Sequence, residues 1–578
     1  MAGAYSRVLA ASRDMREGGK RRILGRVIEE KEIPVRLRSI QVVVVAALLG
    51  LGSATVADPR GPSGRKVAPL FSATGRHHRP IATKNVEAQR FFDQGMTLLY
   101  GFNHPEAALS FERAAELDPE AVMPHWGLAL VVGPNYNAES IDPAQHKVAY
   151  DAVQRALALS AAAPERERAY VRALAARYSN DPASDPKKLL HDYKSAMGQL
   201  MRKYPDDLDA ATLYAESLMN LRPWKLWGSD GTPAEGTEEI VAVLEEVLRR
   251  DPDHIGANHY YIHAVEASPY PERALPSADR LLRLVPWAGH LVHMSAHIYT
   301  RTGDLDQAAK ANELAIKADE RYVKRTNRKG TYHAAYYTHS LQFLSYVRAA
   351  QGNYGEAKRA ADKLLAAVAP EIAEDRMMEA FAQTPLQVQL RFHRWQEILK
   401  APAPGPKLLL SRAFWHYGRS LAFLAKGGRG AAAAEQRAFE SIRKEVPASG
   451  MPGNNTVDRV LGVAAAVLEA RLAADPDAAL KHWRRAVELE DALSYGEPPD
   501  WYYPVRESLG AALLRSGQAE GAERVFREDL KRNRRNGRSL FGLMESLKAQ
   551  NRTDDAEWVA LEFARAWRQG SPLRVEDL

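Results

Sequence analysis

The histidines of this chain are where its chemistry would lie. Eight of the 17 fall between residues 254 and 339, far more than an even spread would place there. His259 and His263 form an H-x-x-x-H pair, and His293 and His297 form a second, each member displaced by 34 residues. Residues at i and i+4 share one face of a helix, so each pair is a two-toothed clamp, and His290 extends the second clamp along the same face. Neutral imidazole is a common ligand for Cu, Zn and Fe. The residues between the paired histidines are Tyr-Tyr-Ile and Met-Ser-Ala, which excludes the metalloprotease pattern with its glutamate base.

A 34-residue displacement is the period of the tetratricopeptide repeat (TPR), a helix–turn–helix unit that stacks into a superhelix. Counting Ile255 as position 1 puts Ala274, Ala278 and Pro286 at positions 20, 24 and 32. Counting Gly289 as position 1 puts Ala296, Ala308 and Ala315 at 8, 20 and 27. Both clamps then occupy positions 5 and 9 of a first helix, which in this fold line the concave groove. Helices packed about 8–10 Å apart let imidazoles from neighbours converge. The expected metal ligands are His259, His263, His290, His293, His297 and His339, with Glu216 one repeat earlier in the same row. Glu266, Tyr260, Tyr336 and Tyr337 are expected around the ligands. Trp224 and Trp227, in the insertion RPWKLWGSDGTPAEG, form either a lid or a surface loop.

Three functional readings follow. The groove holds a transition metal (Cu, Zn or Fe), or a metal-dependent ligand. The same site, with an open coordination position, is a hydrolase or an oxidoreductase. Alternatively the groove binds a peptide or protein through polar contacts without metal. Plain packing of duplicated histidines is the bland alternative.

The rest of the chain supports an all-α fold. Counting Ala88 as position 1 places Gly95, Ala107, Phe111 and Pro119 on the repeat pattern, and Tyr503 does the same for Gly510, Ala522 and Phe526. The expected organisation is a signal peptide over 1–57, a linker over 58–85, a TPR superhelix over 86–446 and C-terminal repeats over 447–578, after the polar stretch Pro447 to Arg459. Glu497, Trp501, Tyr502, Tyr503 and Arg506, in EPPDWYYP and beyond, are expected as a structural cap or as a wall across the groove from the histidines.

Arg36 and Arg38 precede an apolar run ending near Leu51, followed by small residues, which is the layout of a secretory signal. The run is too short for a stable membrane span, so the expected location is outside the cytoplasm, in the periplasm. Residues 1–57 carry ten Lys/Arg and five Asp/Glu; the remainder has 69 basic and 67 acidic residues, which gives no support to a nucleic-acid footprint, and none is expected. There are no cysteines, hence no disulfide framework and no thiolate site.

NHYYIHAVEAS, GHLVHMSAHIYTRTGD, YYTHSLQFL and YGEPPDWYYPVRESLGAALLRSGQAEGAERVFREDL resemble a family of large exported bacterial TPR proteins with paired histidines and no assigned activity. The resemblance implies an all-helical superhelix and recurrent histidines at His259, His263, His293, His297 and His339. Where that family often carries a further histidine, this chain has Gln342.

Overall fold

The computed structural model describes residues 68–71, 75–330, 332–372, 375–447 and 453–578. The expected signal peptide, residues 1–57, lies outside them.

Helical pairs begin with Val86–Tyr100 and His104–Leu117 and recur through the chain. Asn85, Asn103, Asp207 and Asp304 open helices by accepting backbone N–H groups that the first turn leaves unpaired. Among the described residues the only β-type pairing is two isolated bridges, Asn135 with Ala138 and Trp227 with Pro233. The pairs stack as the repeat pattern requires. The Phe111 ring is wedged between Gly95 and Gly127, where an added Cβ would lie 2.5 and 2.6 Å from it; Phe526 fits Gly510 and Gly542 in the same way. The fold is an all-α solenoid of TPR type.

Two helices at the centre are buried on every side. All residues of Ile255–Val265 are buried, as are Gly289 to Tyr299 of Gly289–Thr302. A helix without a solvent face is a core element, and the expected open groove is therefore filled. The loop after Val86–Tyr100 reaches the Ile255–Val265 helix, with Phe102 against His259. From the other end, Arg301 donates to the Arg532 carbonyl at 3.0 Å, and Tyr502 donates to the Gln342 carbonyl at 3.1 Å.

Two boundaries differ from the sequence expectation. The described part of residues 58–85 is packed onto the fold. Phe71 stacks on Trp287 at 4.8 Å, and Arg79 is paired with Asp207 and Asp209 at 3.1 and 3.0 Å. Helices on both sides of Pro447–Arg459 share one apolar core, in which Tyr417 and Phe439 join Val460 and Leu509. No helix among the described residues is long and apolar enough to cross a membrane.

Candidate metal centre

Three consecutive first helices, Ile255–Val265, Gly289–Thr302 and Thr338–Ala350, carry six histidines into the middle of the solenoid. They form two groups, His259 with His263 and His290, and His293 with His297 and His339. Within each group one potential ligand atom per ring lies within 4.8 Å of the others. All six side chains belong to residues between 0 and 4% exposed.

The orientation of the rings follows from their Nδ1 partners. His259 Nδ1 donates to the Tyr100 carbonyl at 2.5 Å, and a carbonyl can only accept. His293 Nδ1 donates to Asn312 Oδ1 at 2.7 Å. The Asn312 amide is fixed in this sense because its Nδ2 donates to the Ala308 carbonyl. His263 and His297 donate through Nδ1 to the two oxygens of Glu266, at 2.8 and 2.5 Å. Burial alone would raise the Glu266 carboxyl, but the facing His297 and His263 rings and their hydrogen bonds hold it down at about 2, so it is an acceptor.

With Nδ1 committed, each of these four rings presents Nε2. The Nε2 atoms of His259 and His263 are 3.2 Å apart, and those of His293 and His297 are 2.9 Å apart. Two neutral imidazoles that both donate through Nδ1 have no proton to share between their Nε2 atoms. Charging a ring would supply one, yet burial and the neighbouring rings hold His259 and His293 well below the usual imidazole range. His297 is shifted the other way, because the Glu266 charge and hydrogen bond outweigh its burial, so a charged His297 donating to His293 is the alternative to a metal in the second pair. Two nitrogens that each bind a metal at ~2.0–2.1 Å, at angles between square and tetrahedral, lie about 2.9–3.4 Å apart. Both pairs fall in that interval.

The third member of each group behaves accordingly. Both ring nitrogens of His290 are buried without a hydrogen-bond partner, a cost of about 1–3 kcal/mol per group unless something binds them. His339 is hydrogen-bonded by the Gln342 side chain, and burial, followed by the His297 ring, drives its pKa down to about 3. Gln342 thus supports the third histidine of this group.

Aromatic rings wall the first group. Phe102 stacks on His263 and His290, Tyr136 and Trp224 pack on His263, and Tyr336 lies 4.4 Å from His290. Asn137 ties this wall together, accepting from Trp224 Nε1 at 3.2 Å and donating to the Tyr336 hydroxyl at 2.9 Å. The five-residue π turn His333–Tyr337 delivers Tyr336 to this position before the Thr338–Ala350 helix begins. Trp227 donates to the Ala264 carbonyl at 2.7 Å, so the insertion folds onto the histidine helix.

Other expected site residues lie elsewhere. Glu216 belongs to neither histidine group. Its carboxylate accepts from Asn220 and faces the charge of Arg177, and burial raises its pKa. Tyr337 donates to Glu320 at 3.3 Å, away from the histidines. Tyr260 packs beside His259 without a hydrogen bond to it, and its hydroxyl feels Glu216 and Tyr193.

Sequence reasoning missed the Tyr100 carbonyl, Phe102, Asn137 and Asn312. Only Asn312 left a signal, a polar residue at repeat position 24, where Ala278 stands one repeat earlier.

A further group, His77, Asp209 and His254, also converges, but its hydrogen bonds run the other way. His254 Nδ1 accepts from the Ala257 N–H at 3.1 Å, which leaves the ring hydrogen on Nε2, 3.3 Å from Asp209. Asp209 already accepts from Tyr100 and Arg79. This is a buried ion-pair network that holds the segment around His77 and Arg79 onto the fold.

A match to a family model agrees with the fold. The tetratricopeptide repeat model matches residues 290–322, the repeat that carries the second clamp. No curated protein sequence matches the chain. Among solved structures, the human IFIT1 dimer with m7Gppp-AAAA is 13% identical, covering 81% of this chain and 94% of that one, with a TM-score of 0.33. The APC/C hetero-tetramer Cut9-Hcn1 is 10% identical, covering 87% and 78%, with a TM-score of 0.29. Likeness of this extent carries no argument about ligands.

Proposed function

We propose that this TPR solenoid binds a pair of transition-metal ions, one in each trihistidine group. The observation that carries the reading is the two Nε2 pairs at 3.2 and 2.9 Å, whose Nδ1 hydrogens are already given to acceptors. Glu266 joins the two sites from behind and supplies negative charge to both. Such partners orient the ligating rings and raise their basicity. Six imidazole nitrogen donors suit Cu, Zn or Fe over the oxygen-seeking Mg and Ca. Burial of all six rings speaks against a peptide lying along these positions, since no surface is left there to contact one. We carry the export of the chain, read from residues 1–57, as part of this proposal; it is tested by cell fractionation.

The deciding experiment is elemental analysis of the purified full chain beside the His259→Ala/His293→Ala double variant, each after incubation with Cu, Zn and Fe salts. The proposal expects about two equivalents of one metal in the parent and a loss of both in the variant. Binding of no metal by a folded parent protein overturns it.

A further inference from the structure

The two histidine groups differ in what surrounds them. The first is enclosed by Phe102, Tyr136, Trp224 and Tyr336; of these Trp224, which packs on His263, also lines the cavity described next. The second reaches a cavity of about 100 Å³ whose wall includes His339 itself, with Gln342 beside it and Glu497 and Asp500 in the segment that returns from the C-terminal half. Phe381 and Phe414 contribute flat apolar surfaces to the same cavity. Glu497 is buried and accepts from the Tyr495 hydroxyl. The charge of Glu497 also acts on His297, so the carboxyl stands on the side of the second group.

The chemistry of the wall restricts what can enter. Among the described residues no Lys or Arg lines this cavity, whereas two carboxyl side chains and the amides of Gln342, Gln383, Gln387 and Asn454 do. An anionic ligand would bring its charge against these two carboxyl groups, with the bound ion alone to offset it. An uncharged molecule that donates hydrogen bonds and has an apolar face is complementary, and the volume limits it to about one ring.

We propose that the ion held by His293, His297 and His339 takes an external ligand through this cavity, a small uncharged hydrogen-bond donor, while the ion held by His259, His263 and His290 is sealed. This rests on the two-ion reading above. It divides the labour between the sites: the sealed ion holds the central helices together, and the accessible ion has the open coordination position that Lewis-acid or redox chemistry requires.

The test uses the full chain loaded with Co2+, whose visible spectrum reports a change in coordination, and imidazole as the probe, a neutral single ring with one donor nitrogen and one N–H. The expected result is one imidazole per chain carrying two cobalt ions, with half of the cobalt absorption altered. Gln387→Trp and, from another part of the wall, Ala380→Phe narrow the cavity without touching a histidine. Each is expected to weaken imidazole binding at least tenfold while two cobalt ions remain bound. The inference is overturned if two imidazoles bind, if none binds to the two-cobalt protein, or if both narrowed variants retain two cobalt ions and bind as the parent does. A parent protein that fails to take up two cobalt ions counts against the underlying two-ion reading instead, so the two failures are distinguishable.

Discussion

His263 and His297 lie on first helices of successive repeats and donate to the two oxygens of one carboxylate, Glu266, at 2.8 and 2.5 Å. A single side chain therefore orients one ligand of each proposed ion. Glu266→Gln keeps the shape but offers only one acceptor oxygen; its amide N–H group confronts the Nδ1–H of the other ring. The expected outcome is a loss of affinity of about 10–100-fold, the usual effect of removing such a support, and it should touch both ions. Competition with a chelator of known affinity measures it. Unchanged affinity at both sites would reduce Glu266 to a packing residue.

The two groups should be separable. His290 serves only the first and His339 only the second. His290→Ala and His339→Ala are each expected to retain about one equivalent of metal, and their cobalt spectra should add up to that of the parent. Loss of both ions from either variant would show one cooperative centre instead.

Gly256 sets the position of a hydrogen-bond acceptor. An added Cβ would lie 2.4 Å from the Tyr100 ring, and the Tyr100 carbonyl is what His259 Nδ1 binds. Gly256→Ala must push Tyr100 aside, an overpacking cost of about 1–3 kcal/mol. The variant should melt earlier and lose metal from the first group before the second, read by thermal unfolding and by metal analysis on the same sample.

Asp319 provides a pH-dependent test of the scaffold. Its Oδ1 accepts from the Tyr332 hydroxyl, which in turn accepts from the His290 backbone N–H, while its Oδ2 has no partner. Burial pushes the carboxyl up to about 7. Unfolded, it would lose its proton near pH ~3.9. Between these values the unfolded chain has released a proton that the folded one keeps, so this residue's contribution falls as pH rises from about 4 to 7 and is level above that. Asp319→Asn removes the effect. Its stability relative to the parent should rise by on the order of a few kcal/mol between pH ~4.5 and pH ~7.5. Urea unfolding of both proteins at the two pH values checks this, and a pH-independent difference would refute it.

The repeat fold was legible in the chain because it is written locally. Gly95, Phe111, Gly510 and Phe526 recur at positions dictated by how one helix meets the next, and such contacts join residues close in sequence. The six histidines were legible for the same reason, since a clamp at i and i+4 needs only a helix, and a 34-residue echo needs only stacking. What the sequence alone determined is therefore an all-α solenoid with two histidine clamps on neighbouring helices.

The tertiary structure decided the rest. The imidazoles sit buried in the core, because the Tyr100–Phe102 loop arrives from more than 150 residues away in sequence and the segment from Gly496 to Tyr502 from the other direction. Glu216 lies outside both histidine groups, bonded to Asn220 and facing the charge of Arg177, a partner that no local periodicity reveals. Glu266, expected only in the surroundings, became the link between the two groups because the Ile255–Val265 and Gly289–Thr302 helices approach closely at that level. Periodicity specifies which face of a helix a residue occupies. What covers that face, and which nitrogen of a ring remains free for a ligand, depends on contacts between residues remote in sequence, and those exist only once the solenoid has closed on itself.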